Sequence, residues 1–235
     1  ITAVYSAEAF HYSKEFWQSD RPAQAYFYFA IQSVVGENPI GWQIVSLSLR
    51  WLTAALIWWL GRSLFQRRDY AIAAIACLFL VYPGFRCQSL SVAYSANFLH
   101  LVFMLISLLL MVYALKTKRY FIFCISGSLI TALFSMLLNE YYIGLELFRP
   151  VIIGFVLSES GQTINLGKRI KTIIRHWLPY LVLGISVLWI KYFYISVDRE
   201  EVDPVGLIKA AWEDSGTLWF VMKRVGLILP DIVNA

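Results

Sequence analysis

Ten lysines and arginines fall in three short gaps between apolar runs, and these alternate with gaps that carry little positive charge. The basic gaps hold Arg62, Arg67 and Arg68; Lys116, Lys118 and Arg119; and Lys168, Arg169, Lys171 and Arg175. The others hold Arg86 alone, the Asn139-Glu140 pair, and the acidic stretch from Asp198 to Asp214. This is the positive-inside pattern of a multi-span membrane protein, in which basic loops stay cytoplasmic. The expected fold is all-α: a polytopic transmembrane helix bundle with juxtamembrane helices on its outer face.

Composition agrees. The chain is 59% hydrophobic and 17% aromatic, more apolar surface than a soluble domain of this length can hide. Its net charge of +5 comes from the basic loops, so it points to anionic lipid and to no nucleic acid. Cys77, Cys87 and Cys124 show no metal-ligand spacing and read as small hydrophobes. The sequence starts at Ile1 without Met, shows no signal peptide, and stops at Ala235 inside a helical pattern. An internal piece of a longer protein is the expectation.

Residues 1–40 are aromatic but too polar to span, with Glu8, Lys14, Glu15, Asp20 and Arg21 among the rings. One or two helices at the outer interface are expected, and Pro22 suits a first helical turn. Six spans are expected over 41–196, near 41–61, 69–84, 95–115, 120–138, 141–158 and 177–196, with Gly161–His176 as a basic loop. Residues 197–235 are expected to form an outer loop and amphipathic helices, because Lys223 and Arg224 would be costly in mid-membrane.

Within the spans, Arg50, His100, Glu140, Glu146, Arg149 and Lys191 lie in the outer half or at the midplane, and the inner halves are uncharged. Embedded ions normally face a bundle interior or a wet cavity, so the expectation is a cavity open to the outside. Glu146 and Arg149, three apart, share a helix face, and Pro150 would kink the helix beside them. The pair reads either as a ligand site or as a lock between helices. Arg50 reads as a functional cation or a helix-pairing one, His100 as a helix-contact histidine, and Lys191 as a snorkelling side chain. His11 and Glu15, four apart, are too few for a metal site.

One stretch suggests a family. Asp20-Arg21-Pro22 is followed by a short apolar segment, then by Val35-Gly36-Glu37-Asn38-Pro39-Ile40-Gly41, then by a span with Arg50 that ends in Gly61-Arg62. This resembles the integral-membrane glycosyltransferases of the C fold class that use polyprenyl-phosphate sugars, in particular protein mannosyltransferases and aminoarabinose transferases. The resemblance covers about 20–62. It implies that Arg21, Arg50 and Asp20 bind substrate and carrier phosphate, with Arg21 as the basic residue near the phosphate and Arg50 as the early span arginine. A guanidinium suits a lipid-linked phosphate, although Arg21 could equally cap a turn with Asp20. The family's second proline is Ala23 here. Its catalytic acid would lie upstream of Ile1, since Glu8, Glu15 and Asp20 do not match that motif.

The resemblance implies sugar transfer to an acceptor at the outer face of a bacterial inner (plasma) membrane. The cosubstrate would be a polyprenyl-phosphate sugar donor, and a divalent metal is compatible with the chemistry. Two other readings stand beside it: a transporter or flippase for a lipid-linked or anionic substrate, and a non-catalytic membrane assembly protein.

Overall fold

The computed structural model describes residues 22–36, 38–65, 68–82, 91–117, 120–159 and 166–194, and no strand occurs among them. The helices are α1 (Pro22–Val35), α2 (Pro39–Leu64), α3 (Asp69–Val81), α4 (Ser91–Lys116) and α5 (Phe121–Leu138). A 3-10 helix (Glu140–Leu147), α6 (Phe148–Glu159) and α7 (Leu166–Tyr194) follow. Four helices are long and apolar enough to cross a membrane, at Pro39–Leu64, Tyr94–Lys116, Phe121–Leu138 and Gly167–Ile190. The expected tail helices, His11, Glu15, Asp20, Arg21 and Arg86 lie outside the described residues.

The turn between α1 and α2 follows from its sequence. Gly36 takes φ +64, a left-handed conformation that side chains rarely adopt. Asn38 then caps α2, its Oδ1 accepting from the Ile40 N–H at 3.0 Å, and Pro39 fills the first position, where its missing N–H breaks no bond. A Cβ at position 41 would run into Val35, so Gly41 lets the end of α1 fold back on the start of α2. Trp42 seals the corner. Its indole N–H donates to the Gly36 carbonyl at 3.1 Å, and its buried ring packs near Tyr28 of α1 and Ala96 of α4.

The central helix is α4, which packs against α2, α5 and α6. Its residues Met104, Leu108, Met111 and Val112 join Leu60 and Leu64 of α2, Ala132 of α5, Ile153 and Val156 of α6, and Tyr180 of α7 in one core. Around that core the surface is apolar: Ile122 and Phe123 are 80% and 81% exposed. Water would not tolerate that much apolar surface, whereas lipid covers it without cost.

Three boundaries differ from those expected. First, α3 ends at Val81 with 13 residues, about 20 Å, so by itself it does not cross a hydrocarbon core of about 30 Å. Second, the stretch expected as span five is not one α-helix. Eight residues wind as a 3-10 helix before α6 begins, and at about 2.0 and 1.5 Å per residue the two pieces together reach about 34 Å. The break lies between Leu147 and Phe148, ahead of Pro150. That proline sits in the first turn of α6, where a missing N–H is tolerated, so it is not the cause of a kink.

Third, the basic segment expected as a loop to His176 is helical from Leu166, and α7 runs 29 residues, about 43 Å. Ile173, Trp177 and Tyr180 pack toward the core at spacings of four and three, while Ile174, Leu178 and Leu181 face out. The cations ride on a helix whose apolar stripe continues through them, and about 43 Å of helix exceeds a core of about 30 Å, so the basic segment extends the uncharged stretch 177–185 as helix rather than loop.

The three basic segments come together at one end of the bundle. Lys116, in the last turn of α4, donates to the Ser63 carbonyl at the end of α2 at 2.6 Å. Phe65 meets Phe155 of α6, with ring centres 4.8 Å apart. Arg169, near the start of α7, donates to the Gly154 carbonyl of α6 at 2.7 Å. His176 of α7 meets Phe121, at the start of α5, edge to face.

Candidate functional site

Away from the basic end, embedded polar groups form three ties between helices. Lipid tails are as apolar as leucine, so hydrophobic contrast does little to hold membrane helices together. Close packing and polar contacts take that role.

The first tie is Arg50. It is buried in α2, and its Nη2 donates to the carbonyls of Phe79 and Leu80. Those belong to the last four carbonyls of α3, which have no acceptor role left inside their own helix. The end of α3 is only partly buried, with Val81 72% exposed, and in a bilayer its open side meets lipid, which offers no donors. A guanidinium supplies the missing donors and places positive charge at a helix C-terminus.

The second tie joins α4 to α5. His100 Nδ1 lies 2.8 Å from the Ser135 carbonyl, and Ser135 Oγ reaches back to the His100 carbonyl at 3.3 Å. Two turns further along, Ser107 Oγ donates to the Ser128 carbonyl at 2.6 Å and Ser128 Oγ to the Ser107 carbonyl at 2.7 Å. A serine reaches a neighbouring backbone only when two helices approach closely, which its small volume allows. Asn139 Nδ2 donates to Asn97 Oδ1 at 3.0 Å near the end of the same seam.

The third tie is Glu146 with Arg149. Arg149 is fully buried. Its Nε donates to Glu146 Oε2 and its Nη2 to Glu146 Oε1 at 3.0 Å, a bidentate fork. Nη2 also donates to Ser107 Oγ at 2.9 Å, and Nη1 lies 3.8 Å from Met111 Sδ. The guanidinium lies 4.0 Å above the Tyr180 ring, whose hydroxyl is 2.7 Å from Ser128 Oγ. One ion pair thereby ties α4, α5, α7 and the junction of the 3-10 helix with α6. Tight winding, about three residues per turn, brings side chains three apart into line, which suits the Glu146–Arg149 spacing.

Among the described residues, the embedded ions make their polar contacts with neighbouring helices. Arg50 is held by α3, and it is not among the partners of Glu146 or Arg149. The ion pair faces polar and aromatic neighbours inside the bundle. Glu140 opens the 3-10 helix and Lys191 lies in the last turn of α7. Among the described residues no group of three or more His, Cys, Asp and Glu side chains gathers as a metal site would require. Ser107, Ser128, Ser135 and Tyr180 did not stand out in the sequence. Their signal is a seven-residue spacing, His100 to Ser107 on one helix and Ser128 to Ser135 on the next.

Comparison with protein-family models, curated proteins and solved structures finds no match. The architecture stands on its own: an all-helical chain, across its described residues, with four helices able to cross a membrane and a polar seam inside them.

Proposed function

We propose that the chain is a membrane glycosyltransferase that moves a sugar from a polyprenyl-phosphate donor to an acceptor at the outer face. One observation carries the reading: the order of elements over 22–64. A short helix, a left-handed glycine turn and a long helix with an early Arg50 and a terminal Arg62 follow one another as in the family that this stretch resembles. Arg21 immediately precedes α1 and supplies the cation for the carrier phosphate. Arg50 serves this site by position, fixing the end of α3 rather than touching substrate. An acceptor hydroxyl or amine loses its proton to a carboxylate and attacks the anomeric carbon. The carrier phosphate leaves, its charge stabilised by a cation.

A second reading, a transporter, is favoured by the interruption between the 3-10 helix and α6 at a buried ion pair. Broken helices at mid-membrane are where transporters place substrate. The two separate at Arg21. In the transferase, Arg21→Ala leaves membrane insertion intact and weakens binding of a short-chain polyprenyl phosphate about tenfold or more, the worth of a charge-assisted hydrogen bond. Titration of purified protein with that lipid measures it, and unchanged affinity contradicts the phosphate role.

A further inference from the structure

The basic end of the bundle carries a groove on its lipid-facing side. Between α2 and α4 runs a groove of about 260 Å³ with an almost wholly apolar lining, including Leu56 and Trp59 on one wall and Ile106, Leu109 and Tyr113 on the other. Lys116 closes one end. From Lys116 to Ile106 the groove follows about 15 Å of helix, half of a hydrocarbon core of about 30 Å and thus the depth of one leaflet.

The mouth is cationic. Lys116, the cation that lines the groove, stands beside the end of α2, whose last turn carries Arg62. Asp69 opposes this charge only in part, 3.7 Å from Arg62 at the surface. Exposed Trp59 and Tyr113 are amphipathic rings of the kind that settle at headgroup level. A hydrocarbon slot one leaflet deep, ending at an ammonium, matches one kind of molecule in both parts.

We infer that this groove binds an anionic phospholipid of the leaflet facing the basic ends. One acyl chain lies between α2 and α4, and the headgroup phosphate sits against Lys116. The inference needs the membrane setting alone and is independent of the transferase reading.

Native mass spectrometry of the full chain, purified in detergent and stripped of lipid, tests it. The probes are phosphatidylglycerol, phosphatidylcholine with the same acyl chains, and glycerol 3-phosphate. Phosphatidylglycerol should bind about fivefold or more tighter than phosphatidylcholine, one cation's worth at a membrane surface. Lys116→Gln should bring it to the phosphatidylcholine level, and Lys116→Arg should retain the preference. Ile106→Trp should fill the slot and weaken both lipids. Equal binding of the two lipids by the unmodified protein would overturn the inference. So would a preference that survives Lys116→Gln, or competition by glycerol 3-phosphate as strong as by the whole lipid.

Discussion

Arg149→Gln is expected to destabilise the protein by about 3–5 kcal/mol, the cost of breaking one side of a buried ion pair. The reason is the carboxylate left behind. Glu146 takes both of its charged hydrogen bonds from Arg149, and the substitution leaves it buried opposite a neutral amide. The same change also removes the donor to Ser107 and the cation above Tyr180, so α4 and α7 lose contacts at the same moment. Glu146→Gln should do comparable damage from the other side, by leaving a buried cation. The double variant removes both charges, and its loss should fall short of the sum of the two singles by about 0.5–3 kcal/mol. Unfolding in mixed micelles titrated with SDS measures all three. Additive losses would mean that the two side chains do not act as a pair.

The second large effect is expected at Arg50. Arg50→Met keeps the apolar stem but strands the Phe79 and Leu80 carbonyls at the end of α3, a loss of about 1.5–3 kcal/mol for charged hydrogen bonds. Amide hydrogen exchange should rise in the last turns of α3 and much less in α4 and α5. Arg50→Lys should recover part of the loss, since an ammonium donates to carbonyls but lacks the planar fork. A variant with unchanged exchange and weakened lipid-phosphate binding would move Arg50 from a positioning role to a ligand.

Much of the architecture was readable from the apolar runs and the charge between them. Spans near 41–61, 95–115 and 120–138 recur as α2, α4 and α5 within a few residues, because a long uncharged run admits little besides a helix. Span five failed for a definite reason. Hydropathy registers that Glu140–Leu147 is largely apolar, but 3-10 and α winding bury the same residue types, so the pattern does not distinguish them. The segment expected as a basic loop is helix because charge alone does not mark a loop. In Lys168–Arg175 the charged residues alternate with Ile170, Ile173 and Ile174, and the helix period outweighs the charge.

The embedded ions were found by residue type, since an arginine in an apolar run stands out. Their partners were not. Serine, histidine and tyrosine are inconspicuous in a helix, and Arg50 takes backbone carbonyls that no sequence pattern marks. Placing these ions at one level suggested one shared cavity. Arg50 meets the end of α3, while His100 and Glu146 lie close enough inside the bundle to interact electrostatically.

Everything rests on the bundle crossing a membrane with its basic ends on one side. Reporter fusions placed after Arg68, after Lys118 and after Gly161 test this most directly, because each reports its side as all or none. All three should report a cytoplasmic signal, with the opposite signal from fusions after Arg86 and Asn139. An outer-face signal from any one of the three basic positions would contradict it.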